Sequence, residues 1–170
     1  PHFYEKSIRA WMADNNLNIK NIFLKDYRQL FSLGPSELMM KDIKHHGVHK
    51  LNQLLNITLL SEIPSEITLV GDNAESDPII YSIFSYILLN KESPDEIWEK
   101  IVTLRTFQLS DRQSLKLLNR LYSLKNLLKK SPLLPKISIF IREVPGKKTK
   151  TIPTFLNESA KHIQYYKEVR

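Results

Sequence analysis

The 170-residue chain contains no cysteine and only 4 glycines. The absence of cysteine excludes a disulfide scaffold and a thiolate site, and it is typical of a reducing compartment, so we expect a cytoplasmic protein. No apolar run approaches the roughly 18 residues of a membrane-spanning helix, and the first residues lack a signal-peptide pattern. With 42% hydrophobic residues, the composition favours a folded, helix-rich domain over a disordered chain.

The charge of the chain is strongly unbalanced, with 25 basic and 18 acidic residues and a formal net charge of +7. Such a balance favours anionic partners, which include phosphorylated substrates, acidic lipid surfaces and nucleic acid. Residues 110–130 predict a helix with leucines on one face and basic side chains around the rest. This helix either lies on an anionic membrane as a peripheral contact or packs on the core with a solvated basic face. The basic turn at residues 145–150 is too short to indicate a nucleic-acid site, and we rank nucleic acid below a phosphorylated substrate.

The stretch of residues 66–81, EITLVGDNAESDPIIY, is the most informative in the chain. It begins with an apolar, β-branched run that predicts a buried parallel strand, and Gly71 then predicts a sharp turn. Asp72 follows at the carboxyl end of the strand, where open α/β sheets bind their ligands. Pro78 predicts the first position of a helix with Asp77 as its N-cap. Two carboxylates on one loop predict a Mg²⁺ site; the alternative is a capping aspartate beside an ordinary turn.

The pattern Gly-Asp-x-x-x-x-Asp after a buried strand resembles the fourth motif of the haloacid dehalogenase superfamily of phosphatases. The longer match, residues 69–73 followed by residues 77–81, is similar to the actin-patch-associated phosphatidate phosphatase family within that superfamily. The usual pattern there is hydrophobic-Gly-Asp-Ser-Gly-x-x-Asp-Pro-x-x-Tyr, and this chain has Asn-Ala in place of Ser-Gly. The resemblance covers about residues 1–90 and 133–144, and the aspartate loop is its only specific motif.

The resemblance implies a Mg²⁺-dependent phosphoester hydrolase, with phosphatidate as the first expected substrate. It implies that Asp72 is a catalytic metal ligand and that Asp77 either binds the metal or supports the ligand. The pair His49-Lys50 resembles the third motif of the family, which supplies a lysine. A fixed cation there offsets the repulsion between a nucleophilic aspartate and phosphoryl oxygens, so Lys50 is the expected catalytic lysine. Lys44 is the alternative, and an ordinary solvated role for Lys50 is a further one.

Three histidines, His45, His46 and His49, lie close together in the sequence. Their spacing is compatible with zinc, but no fourth nitrogen or sulfur ligand follows at a standard spacing. We therefore expect these histidines on a polar loop beside an anion site.

Half of the family's site is missing from the sequence. In the family, an Asp-x-Asp motif supplies the nucleophile and the general acid/base, and a second motif supplies a hydroxyl. No Asp-x-Asp occurs in these 170 residues. We therefore expect the nucleophile upstream or on another chain, so that enzymatic activity depends on that missing segment. The alternatives are a non-catalytic binding module with a degenerate phosphatase fold, and a basic helical protein that binds nucleic acid or another partner.

The expected fold is α/β: a partial, Rossmann-like haloacid dehalogenase fold with a small parallel sheet flanked by helices. We predict a single domain over residues 1–170, with a helical insertion at about residues 91–131. The predicted strands are residues 19–25, 66–70 and 137–142. The predicted helices, apart from the basic one above, are residues 1–15, 49–57, 78–89, 94–107 and 157–169, with an irregular connection over residues 27–43. A capping box, Ser93-x-x-Glu96, marks the start of the fourth of these helices.

Overall fold

The computed structural model describes residues 2–17, 46–61, 63–104, 111–131 and 133–167. These residues belong to two compact units, Pro1–Ile43 and Lys44–Arg170. In the first unit, helix α1 spans His2–Asp14, close to the prediction, and Asn16 follows with a φ of 55°. The strand predicted at residues 19–25, the irregular connection, Lys44 and His45 lie outside the described residues.

The second unit alternates helices with strands. Its elements in chain order are α2 (His46–Leu60), β1 (Glu66–Asp72), α3 (Asp77–Leu89), α4 (Pro94–Val102), α5 (Asp111–Lys130), β2 (Lys136–Arg142), a 3₁₀ turn (Thr154–Leu156), α6 (Asn157–Ala160) and β3 (Ile163–Tyr166). Among the described residues the strands form one parallel sheet in the order β1-β2-β3. The predicted α/β class with a small parallel sheet and flanking helices is therefore confirmed at this level.

The register of the sheet brings the carboxyl ends of its strands together. Asp72 is paired with Arg142, and Arg142 is paired with Tyr166. Because all three strands are parallel, these residues lie at the same end of the sheet, its carboxyl end. The loops that follow them are therefore neighbours in space.

The terminal helix predicted for residues 157–169 is wrong. The chain completes only one helical turn, α6, and then enters β3, whose backbone pairs with β2. The segment Ile-Gln-Tyr-Tyr at residues 163–166 is β-branched and aromatic, and pairing with an available sheet edge overrides a weak helical pattern. Tyr165 and Tyr166 are accordingly exposed on the strand instead of docking from a helix.

The hydrophobic core lies between the helices and one face of the sheet. Helix α3 is buried almost all round, as expected of a central helix. The buried apolar side chains around it come mainly from α2, α5 and the inward face of β2: Leu51, Leu55, Leu117, Leu121, Leu124, Ile137, Ile139 and Ile141.

Helices α4 and α5 form the segment predicted as a helical insertion. The capping box at the start of α4 is confirmed, since Ser93 accepts from the backbone N–H of Glu96 and the Glu96 carboxylate accepts from that of Ser93. Helix α4 ends at Val102, earlier than predicted. The leucine face of α5 is buried in the core, which favours the packing alternative for this helix. Among the described residues, no helix is long and apolar enough to cross a membrane.

The burial of one face of α5 predicts that two of its leucines contribute very differently to the free energy of unfolding. Leu124 is 0% exposed and Leu115 is 62% exposed. Leu124→Ala should lower the free energy of unfolding by about 2–5 kcal/mol, because it leaves a cavity in the core. Leu115→Ala, the matched control, should change it by less than about 0.5 kcal/mol. Urea denaturation followed by circular dichroism measures both, and equal losses would show that α5 does not pack in this way.

Candidate functional site

Asp72 and Asp77 bracket the loop that leaves the carboxyl end of β1. Asp72 is the last residue of the strand and Asp77 is the first residue of α3. The Asp72 Oδ1 atom accepts from the backbone N–H groups of Ala74 at 3.0 Å and Glu75 at 3.3 Å, which holds the loop in a local turn. The Asp77 Oδ2 atom accepts from the backbone N–H of Asp72 at 3.3 Å. The structure thus brings the two predicted carboxylates together on one loop.

Gly71 continues the strand, so the sharp turn predicted at this residue begins only after Asp72. Its φ is not in the left-handed region. The glycine is required because another side chain comes close to it: a Cβ placed on Gly71 would lie 2.8 Å from Asp77 Cβ and closer still to Asp77 Oδ2. Backbone conformation is therefore not the reason for a glycine here.

The start of α3 also differs from the prediction. Ser76, not Asp77, is the N-cap residue, and it makes no side-chain capping hydrogen bond. Pro78 is the second residue of the helix, one position later than predicted, and still lies in the first turn, where proline is tolerated. The Asp77 carboxylate instead points back to the strand and to Lys50, and these partners replace a capping role.

Lys50 reaches this loop from the beginning of α2. Its Nζ atom donates to Asp77 Oδ1 at 2.5 Å and to Glu75 Oε2 at 2.6 Å. The Asp77 side chain is 6% exposed, whereas that of Lys50 is 36% exposed. The pair is therefore buried on the aspartate side and open to solvent on the lysine side. Glu75 was not predicted, although its place between the two aspartates was visible in the sequence.

The environment of Lys50 keeps it charged. Burial alone lowers the pKa of Lys50, but the hydrogen bonds to Asp77 and Glu75, together with their charges, outweigh it and raise that pKa above its ordinary value. A raised lysine pKa in the folded state stabilises the fold fully below the ordinary value. That stabilisation is lost only as the pH rises through the higher, folded value.

Tyr81 links α3 back to β1. Its hydroxyl donates to the backbone carbonyl of Val70 at 2.9 Å. Burial, reinforced by the negative charge of Asp77, raises the pKa of Tyr81 to about 12, so the hydroxyl stays protonated and remains a donor at neutral pH.

Arg142 and Asn73 join the site from β2 and from the aspartate loop. The Arg142 Nη2 atom lies 3.8 Å from Asp72 Oδ2. Asn73 is 4% exposed, and its Oδ1 atom accepts from the backbone N–H of Val144 at 2.8 Å. Its Nδ2 atom donates to the Lys147 carbonyl and to Thr149 Oγ1, both at 3.4 Å. Sequence reasoning missed both residues, although Arg142 ends a predicted strand of the same sheet.

The polar loop predicted for the histidines is wrong for His46 and His49, because both belong to helix α2. His45 lies outside the described residues. Within the described part of the chain, no group of three or more histidine, cysteine, aspartate and glutamate side chains has a geometry that would hold a metal ion.

The fit of the aspartate loop to Mg²⁺ differs between its two carboxylates. The Asp72 side chain is 30% exposed and its Oδ2 atom lies 3.8 Å from Arg142 Nη2, so this oxygen fits as one ligand. Both Asp77 oxygens accept hydrogen bonds, from Lys50 and from the Asp72 N–H, which suits a supporting role. Mg²⁺ is usually bound by one or two carboxylates with waters and phosphate oxygens, so a single carboxylate from this loop is compatible with it. Asp77 as a direct ligand stays a prediction.

Comparison of the chain with protein-family models, with curated proteins and with solved structures found no match. The resemblance to the haloacid dehalogenase superfamily therefore rests on the motifs in the sequence alone.

The close approach of Asp77 predicts that Gly71→Ala destabilises the protein by about 1–3 kcal/mol, because the added methyl group must displace the carboxylate. In an Asp77→Gly background the same substitution should cost much less, since the three atoms nearest to the added methyl group are gone. Chemical denaturation of the four proteins of this cycle measures the difference. An equal cost in both backgrounds would show that contact with Asp77 is not what requires the glycine.

Proposed function

We propose that this chain supplies the lysine and the aspartate loop of a Mg²⁺-dependent phosphoester hydrolase, and that the nucleophile comes from a segment outside these 170 residues or from another chain. The observation that carries the proposal is the contact of Lys50 with Asp77 beside Asp72, at the carboxyl end of a parallel strand. A lysine from one helix and two aspartates from a strand loop, separated by more than 20 residues in sequence, meet where α/β sheets bind ligands.

Asp72 is the residue that would hold Mg²⁺. Bound there, the ion would supply positive charge to the oxygens of a phosphoryl group. Asp77 acts on this residue through the backbone, because its Oδ2 atom fixes the Asp72 N–H and with it the end of the strand. Asp77 is thus a positioning residue in this proposal.

Lys50 supplies the second positive charge. An ammonium group has three N–H donors, and among the described residues those of Lys50 reach two partners, Asp77 and Glu75. The third is available to a phosphoryl oxygen, and the exposure of the Lys50 side chain gives a ligand access to it. The charge of Lys50 also offsets repulsion between the carboxylates and an incoming phosphate.

Phosphatidate is the substrate that the resemblance suggests, and the basic surface of the chain is compatible with a peripheral contact to an anionic membrane. A non-catalytic anion-binding module is the second candidate. It is favoured by the absence of any Asp-x-Asp in the sequence. Turnover separates the two, because only the hydrolase releases phosphate.

The test compares Asp72→Asn with Glu66→Gln, a control at the opposite end of β1. In the full-length protein, with any companion polypeptide retained, Asp72→Asn should lower Mg²⁺-dependent phosphate release from phosphatidate by at least about 100-fold. It should also weaken the binding of Mn²⁺, followed by electron paramagnetic resonance, whereas Glu66→Gln should change neither.

Activity that survives Asp72→Asn would remove this residue from the mechanism. Mn²⁺ binding and phosphate release that are both absent from the wild-type protein would contradict the proposed function. Anion binding without turnover would favour the non-catalytic module instead.

A further inference from the structure

A cleft of about 680 Å³ opens beside the aspartate loop, at the carboxyl end of β2. Its lining includes Arg142, Lys147 and Lys167 as cationic residues and Glu143 as the anionic one. The balance of charge in the cleft is therefore positive, and it attracts anions. Clefts of 300–1,000 Å³ hold whole small molecules, so this one has room for more than a single phosphate group.

A four-residue turn, residues 144–147, forms part of the wall of the cleft. The backbone N–H of Lys147 donates to the Val144 carbonyl at 3.1 Å, with Pro145 and Gly146 between them. Gly146 has a φ of 75°, which is the conformation that the third position of a type II turn requires. A Cβ on Gly146 would meet nothing within 4 Å, so the turn faces open space.

Two side chains, Asn73 and Lys150, connect this turn and the residues that follow it to the aspartate loop. Buried Asn73 accepts from the Val144 N–H and donates to the Lys147 carbonyl. Lys150 Nζ donates to Ser76 Oγ at 3.0 Å, next to the start of α3. The turn is thereby held in place from both ends, which gives a preformed site and lowers the entropic cost of binding.

Arg142 connects the cleft to the proposed catalytic loop. The residue lines the cleft, and its guanidinium lies 3.8 Å from Asp72 Oδ2. A phosphate bound by Arg142 would therefore lie next to Asp72, while Lys147 would face the remainder of the same ligand. Lys167 also lines the cleft, where its Nζ atom lies 3.7 Å from Glu143 Oε2. Guanidinium groups bind phosphate oxygens in a bidentate geometry, and lysines bind them as point charges.

From this arrangement we infer that the cleft binds a ligand with two neighbouring anionic groups, at least one of which is a phosphate. The inference rests on the proposed function only in its last step, in which the phosphate at Arg142 is the group that reacts. The binding itself requires neither Mg²⁺ nor turnover.

The chain offers a matched pair of variants for the test. Lys147 lines the cleft, whereas its neighbour Lys148 does not, and both side chains are exposed. Isothermal titration calorimetry with pyrophosphate, in the presence of EDTA, should show binding to the wild-type protein that is tighter than binding of inorganic phosphate. Lys147→Gln should weaken pyrophosphate binding by about fivefold or more, and Lys148→Gln by less than about twofold. Thermal melts confirm that both variants stay folded.

Equal effects of the two substitutions on pyrophosphate binding would overturn the inference, since they would indicate a diffuse basic surface. Binding of a short RNA more tightly than pyrophosphate, weakened equally by both substitutions, would overturn it for the same reason. No binding of pyrophosphate to the wild-type protein, or equal affinity for phosphate and pyrophosphate, would also overturn it. The same titration with short-chain phosphatidate and with phosphatidate-containing vesicles shows whether the cleft binds a lipid headgroup or a water-soluble ligand. Pyrophosphate binding is measured in EDTA and requires no divalent metal, so failure of the Mn²⁺ test would remove the proposed function without removing the cleft.

Discussion

The contact between Lys50 and Asp77 is the interaction on which the arrangement of the site depends. The carboxylate of Asp77 is almost fully buried, and a buried charge is costly unless it is paired and hydrogen-bonded. Lys50 supplies that partner from α2, so the ion pair ties this helix to the start of α3. With the carboxylate fixed in this position, the chain has room only for a glycine at residue 71.

A second set of contacts extends the site from β1 to β2. The parallel register pairs Asp72 with Arg142, and Asn73 then connects the aspartate loop to the turn after β2. Arg142 therefore lies beside the Asp72 carboxylate and also lines the basic cleft. The proposed ligand, a phosphate with a second anionic group, would use Arg142 for the phosphate and the other cationic residues of the cleft for the second group.

The sequence indicated the parts of this arrangement that are set by local chemistry. The β-branched run before Gly71, the proline at the start of α3 and the capping box at Ser93 each act within a few residues, and the strand, the helix start and the capping box are all in the structure. The prediction that the strand is buried is wrong, because Leu69 is its one buried residue and Val70 is exposed. The meeting of Lys50 with the aspartate loop was suggested by a resemblance, not by spacing.

Features that depend on tertiary contacts were not predictable in the same way. The segment at residues 163–166 forms a strand because β2 offers it an edge, which no local pattern reveals. The reason for Gly71 is a side chain six residues later in the chain that folds back onto it. Arg142 joins the site because the register of β1 and β2 pairs it with Asp72. Among the described residues, three helices lie between these two strands in the sequence, so no local pattern connects the two residues.

The most direct measurement of the central claim is a double-mutant cycle of Lys50→Met and Asp77→Asn, with Lys136→Met and Glu66→Gln as the control cycle. The first pair should show a coupling free energy of at least about 1.5 kcal/mol, unchanged from about pH 7 to about pH 10, because the raised pKa keeps Lys50 protonated. The second pair is highly exposed and should couple by less than about 0.5 kcal/mol. A coupling near zero between Lys50 and Asp77 would contradict the account.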